Sequence, residues 1–224
     1  MKLVHPDLQM QLHLTPPAAV ALTIEAPELF LKYIQDLYLQ SNGREGQFVL
    51  SDVNKELRIS KFVEVILEPF SLDTNDRRIL NKVYADLRDL AMDEEGYLRT
   101  QDILAQLQQY FMELEERSPY ILTVDSDINV IDVFKALGVR FEAYEEGVFE
   151  NLTQYIRILG DVLQKKVVVL VGMTGYLTKE QIMLLTKEAI YHEISIIYAE
   201  SKSYDWAGLG IVSYIIDSDG CEIF

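Results

Sequence analysis

The sequence has 224 residues, 49% of them hydrophobic and 10% aromatic, enough apolar side chain to bury a sizeable core in one ordinary domain or two small ones and to exclude wholesale disorder. Its 36 acidic against 20 basic residues leave a formal charge of −16, which over the whole chain argues against a polyanionic partner such as DNA. The single cysteine, Cys221, excludes an internal disulfide, and three scattered histidines weigh against a zinc site of Cys and His ligands.

In chain order, short strands are expected at Leu12–Leu14 and Val20–Ile24, then a helix from Pro27 to about Gln40, with Pro27 near its start and Ser41-Asn42-Gly43 at its end, then a strand over Gln47–Leu50. From about residue 61 the pattern turns helical. Segments are predicted near Asp76–Asp93, near Thr100–Glu116 and from Asn129 to Gly138, with Thr74-Asn75-Asp76 and Thr100 supplying capping chemistry. A helix near Val148–Leu163 follows, then the apolar strand Val167–Val171. Thr178 and Gln181 form a capping box that opens another helix, and strands Ile194–Tyr198 and Ile211–Ile216 close the chain. Continuous apolar strands alternating with helices indicate a parallel sheet covered on both faces. The fold class expected is α/β: a body formed by residues 1–60 and 137–224 and a mostly helical insertion at 61–136. No apolar run approaches the roughly 20 residues of a membrane span. The opening Met1-Lys2-Leu3-Val4-His5-Pro6 has no apolar signal segment, so a soluble, cytoplasmic protein is expected.

Val171-Gly172-Met173-Thr174-Gly175-Tyr176-Leu177-Thr178 stands where a phosphate-binding loop would stand, between a strand and a helix. It lacks the Gly-Lys-Ser/Thr that reaches phosphates and magnesium, so it reads as a tight turn, with a degenerate nucleotide-binding enzyme as the alternative. Asp125-Ser126-Asp127-Ile128-Asn129 spaces oxygen ligands as a calcium loop begins. Val130 and Ala136 replace the glycine and bidentate glutamate of an EF-hand, leaving either a looser site with Asp125, Asp127 and Asp132 or a helix cap at Asp127 or Asn129. Asp217-Ser218-Asp219-Gly220 reads as a hairpin turn. His5, His13 and His192 have no context of a general base, and there is no Gly-x-Ser-x-Gly elbow, so no catalytic residue is expected. The predicted helix at 76–93 sorts Ile79, Leu80, Val83, Tyr84, Leu87, Leu90 and Ala91 to one side. Arg77, Arg78, Lys82 and Arg88 fall within roughly 140° on the other, where four cations meet a phosphate backbone or, alternatively, pair with carboxylates on a solvated face. Asp89 intrudes on that arc.

Ser71-Leu72-Asp73-Thr74-Asn75, followed by Ile79-Leu80 and Ala85-Asp86-Leu87, resembles the start of the long helix in the ring-forming adaptation protein of type II-A CRISPR–Cas systems, of the Csn family. Lys135-Ala136-Leu137-Gly138-Val139-Arg140-Phe141-Glu142, leading to Val148-Phe149-Glu150, is similar to that family's Leu-Gly-Val turn, strand and helix. The run from Leu163-Gln164-Lys165-Lys166 to Tyr176-Leu177-Thr178-Lys179-Glu180 resembles its most recognisable stretch. The resemblance covers about residues 60–200. It implies a P-loop-like α/β body without nucleotide chemistry, and a homotetrameric ring that binds double-stranded DNA. The role implied is non-catalytic, in spacer acquisition and antiviral defence, beside other adaptation proteins and the effector nuclease. It implies calcium ions in the ring, with Asp125, Asp127 and Asp132 as the ligands this chain offers where Tyr120-Ile121-Leu122-Thr123-Val124 displaces others. It makes the face of Arg77, Arg78, Lys82 and Arg88 a candidate DNA wall, with Lys135 and Arg140 beside it. An acidic interaction scaffold indifferent to DNA is the remaining alternative.

Overall fold

A computed structural model of the chain describes residues 1–15, 17–53, 55–125, 127–142 and 147–223. The chain divides into two compact units, Met1–Thr74 with Tyr144–Phe224, and Asn75–Ala143.

In the first unit, the described residues include a six-stranded sheet of order β10-β9-β3-β8-β7-β6, where β3 is Ala19–Ile24, β6 Val63–Ile66, β7 Val167–Val171, β8 Ser195–Glu200, β9 Val212–Ile216 and β10 Glu222–Ile223. All neighbours run parallel except β10, which returns antiparallel along β9. The central strands β3 and β8 are buried along their whole length, as their unbroken apolar runs require of strands covered on both faces. One face meets α1 (Pro27–Ser41): Val167, Val169, Ile197 and Ala199 share a core with Tyr33, Ile34 and Leu37. Their alternating neighbours Val168, Leu170, Ile196 and Tyr198 point the other way and are equally buried, on the side of α6 (Val148–Asp161) and α7 (Lys179–Tyr191). A four-stranded antiparallel sheet, β2-β1-β4-β5, adds Leu3, Leu12 and Leu50 to the α1 side; its strands are β1 Lys2–Val4, β2 Leu12–His13, β4 Val49–Asp52 and β5 Lys55–Leu57.

The sequence placed residues 61–136 in a helical segment, yet β6 lies within it and pairs with β7, Val63 beside Val167. A four-residue strand after the one-turn helix α2 (Ile59–Phe62) carries too little alternation to be seen among helical neighbours.

The second unit contains α3 (Arg77–Ala91), α4 (Tyr97–Glu116) and α5 (Val130–Ala136). α3 packs on α5. Thr100 does not cap α4: the helix begins one turn earlier, and the Thr100 hydroxyl donates to the Ala91 carbonyl at 2.8 Å, joining α4 to the end of α3.

Candidate nucleic-acid interface

The sequence sets up α3 in two ways. Asp76 accepts the Ile79 amide at 2.9 Å and so caps the helix, and the apolar side anchors it through Ile79, fully buried, and Tyr84, whose hydroxyl donates to the Val139 carbonyl at 2.9 Å. Leu90, assigned to the same side, is instead 63% exposed, because it lies in the last turn, beyond the packing on α5. Asn75 clasps Phe141 with both amide groups: its Nδ2 donates to the Phe141 carbonyl at 3.1 Å and its Oδ1 accepts the Phe141 amide at 2.7 Å. These bonds hold residues 139–141 along the first turns of α3, on the side of Tyr84.

Arg77, Arg78, Lys82 and Arg88 are exposed, as are Lys135 and Arg140. Several are compensated. Lys82 pairs with Asp86 one turn on, Arg88 with Asp89 at 2.6 Å, Arg78 lies 3.6 Å from Asp76, and Lys135 pairs with Asp132 at 2.8 Å. Among the described residues Arg77 and Arg140 form no ion pair. Exposed pairs of this kind are worth about 0–1 kcal/mol, so a phosphate backbone competes for the paired cations at little cost.

The acids expected to ligate calcium are not gathered into one cage among the described residues. Asp125 and Asp127 are exposed, Ser126 between them lies outside the described residues, and Asp132 faces Lys135. Among the described residues no three His, Cys, Asp or Glu side chains converge as a metal cage. Asn129 caps α5, its side chain accepting the Ile131 amide.

In the first unit the turn after β7 is filled from within. Gly172 takes a left-handed conformation, φ 69°, and its amide donates to the Ala199 carbonyl. The Glu200 carboxylate, from the end of β8, accepts the Thr174 amide at 3.0 Å and is 5% exposed. An acid of this chain thus sits against loop amides that a nucleotide phosphate would need, and Lys179 is engaged by Asp205. Burial raises the Glu200 carboxyl above its ordinary value, opposed by hydrogen bonds from Thr174 and Met173. A carboxyl raised on folding stabilises the fold below its unfolded value and withdraws that support as pH climbs through the folded one. E200Q is therefore expected to gain stability relative to wild type as pH rises above about 4, read in urea melts; a constant difference would contradict it.

Sequence spacing missed two features here. Glu200 ends a strand and looks like any acidic residue until β7 and β8 pair. Arg44 and Arg58 line one pocket of about 200 Å³ between the end of α1 and the start of α2, brought together by the β4–β5 hairpin. Two histidines have structural partners: buried His5 stacks edge-on against Tyr33 and Phe48, burial lowering its pKa, and His192 meets Asp161 at 2.8 Å. Among the described residues no helix is long and apolar enough to cross a membrane.

Residues 40–220 match the family model described as CRISPR-associated protein (Cas_Csn2). The CRISPR-associated protein Csn2 of Streptococcus agalactiae is 22% identical over 202 residues, covering 90% of this chain and 88% of that protein. That of Enterococcus faecalis is 22% identical over 193 residues, covering 82% and 83%. The crystal structure of Stu0660 of Streptococcus thermophilus superposes with a TM-score of 0.59 at 12% identity, over 100% of this chain and 76% of that one, a likeness of fold.

Proposed function

The chain belongs to the Cas_Csn2 family of CRISPR-associated proteins, which serves adaptation in type II-A systems, and on that footing we propose that it is a non-catalytic binder of double-stranded DNA acting in spacer acquisition. The observation that carries this reading is the basic face of the second unit: Arg77, Arg78, Lys82 and Arg88 exposed along α3, with Arg140 exposed in the same unit. Such a face reads phosphates rather than bases, since its cations stand on a rigid helix and need no particular base edge. In a chain of net charge −16 the face is useful only where the acid elsewhere is kept off the duplex. A homotetrameric ring that turns this face inward around linear DNA does so. Its partners are then other adaptation proteins and the effector nuclease.

Calcium enters the proposal as an ion shared between copies. Six to eight oxygens are needed and the described residues of one chain do not gather three acidic side chains, so Asp125, Asp127 and Asp132 would contribute to cages completed by another subunit. The nucleotide-enzyme alternative has no supporting observation, since Glu200 already occupies loop amides at the degenerate turn.

The test is a gel-shift titration of linear duplex across salt, with calcium or with chelator. Binding at low salt is expected, with log affinity falling linearly in log salt by roughly 0.9 for each phosphate contacted, independent of sequence. A linear duplex left unshifted at low salt with calcium present would overturn the reading.

A further inference from the structure

Two arginines of the first unit are brought together by backbone hydrogen bonds. α1 ends in a Schellman turn about Gly43: the Gly43 amide donates to the Gln40 carbonyl and the Arg44 amide to the Leu39 carbonyl, each at 3.0 Å. The Gln40 side chain binds both backbone groups of Phe48, donating to its carbonyl and accepting its amide at 3.0 Å, and so pins the chain entering β4 to the end of α1. β4 returns as β5, with Leu50 beside Leu57, and delivers Arg58, whose carbonyl accepts the Lys61 and Phe62 amides as α2 begins. Arg44 and Arg58 thereby line one pocket of about 200 Å³, whose wall includes buried Phe48 and Ile59.

Among the described residues neither arginine forms an ion pair, although acids outnumber bases 36 to 20. Glu56 lines the same pocket and pairs with neither. The carbonyl end of α1 favours a cation at Arg44, which accounts for one arginine and not for the second. Two guanidinium groups sharing a concavity repel one another, and an anion between them turns that repulsion into attraction.

We propose that Arg44 and Arg58 together bind one dianionic phosphate group. The planar guanidinium fork matches phosphate oxygens, and two cations balance the charge of about −1.5 to −2 that a phosphate monoester carries at pH 7, whereas a single carboxylate leaves one cation over. Pockets that enclose a whole small-molecule ligand run to about 300–1,000 Å³, so this one admits the phosphate and leaves the rest of its bearer in solvent. Free phosphate and the terminal phosphate of a nucleic-acid strand share this chemistry. The inference uses no residue of α3 and stands apart from the DNA reading.

Calorimetric titration of the full chain at low salt and about pH 7.5 tests it, with inorganic phosphate, a 5′-phosphorylated tetranucleotide and its 5′-hydroxyl counterpart as probes. Saturable phosphate binding at one site per chain is expected, weakened roughly tenfold or more in R44A/R58A. R44K/R58K, which keeps both charges but not the forks, is expected to lose several-fold. E56Q is expected to tighten binding, a gain that misfolding does not produce. A tetranucleotide held through its 5′-phosphate assigns the pocket to strand ends; two tetranucleotides that bind alike, beside saturable inorganic phosphate, assign it to free phosphate. Absence of saturable phosphate binding, or an affinity that R44A/R58A leaves unchanged, overturns the inference. Acetate bound as tightly as phosphate also overturns it, in favour of an acidic protein partner. None of these results touches the DNA reading, which its own gel shift decides.

Discussion

R77E/R78E/K82E is expected to weaken duplex binding by roughly 100-fold or more at low salt and to lower the salt slope by about three contacts. The loss should be alike for all sequences, because the cations project from exposed positions on one helix and meet phosphates, not base edges. Stability should be nearly unchanged. The helix is held by Ile79, Tyr84 and the Asp76 cap, none of which the substitutions touch. Ion pairs at Lys82 and Arg78 are exposed and contribute little to the fold. A gel shift beside a thermal melt separates the two: unchanged affinity would remove α3 from the DNA surface, whereas a collapsed melt would mean that the face is structural.

The second large effect concerns stability alone. Lys165 is 5% exposed, at the entry to β7, and its ammonium donates to the carbonyls of Ser60 at 3.0 Å and Val63 at 2.8 Å while pairing with Glu64 at 3.1 Å. It thereby ties the outer strand β6 to the sheet from the side where no further strand supports it. K165M keeps the volume but removes the 3.1 Å pair with Glu64, 15% exposed, and the ammonium that two carbonyls accept from; a loss of about 3 kcal/mol is expected in urea melts. K165M/E64L should recover a large part of that, since removing both charges also removes the cost of burying either. A loss under about 0.5 kcal/mol in K165M would show the tie to be ornamental.

What could be read from the sequence follows the range of the interaction that specifies it. Val167–Val171 announces a buried parallel strand by composition, and Thr178 with Gln181 announces a helix start within four residues, both as observed. The turn at 217–220 was also local: Asp217 folds its carboxylate onto the amides of Asp219 and Cys221, and Gly220 supplies φ 81°. β1 and β6 were not legible, being short strands specified by partners far along the chain, Lys2 beside Ser51 and Val63 beside Val167. The basic arc of α3 was legible because a helix maps spacing onto direction. Its neutralisation by Asp86 was within reach of the same rule, Lys82 and Asp86 lying four apart, whereas the holding of residues 139–141 against α3 was not. That depends on Asn75 and Phe141, 66 residues apart.

The clasp between Asn75 and Phe141 also bears on how the chain finds its fold. Glu64 in β6 and Val168 in β7 stand beside one another although 104 residues separate them, and most of that separation is the second unit. Once that unit has closed on itself, the clasp makes its beginning and end neighbours, and the loop to be closed shortens to about 40 effective residues. The entropy of loop closure, growing as the logarithm of length, then falls by about 1 kcal/mol. Early formation of the inserted unit would therefore speed the joining of β6 to β7 several-fold, making the insertion a splint for the sheet that it interrupts.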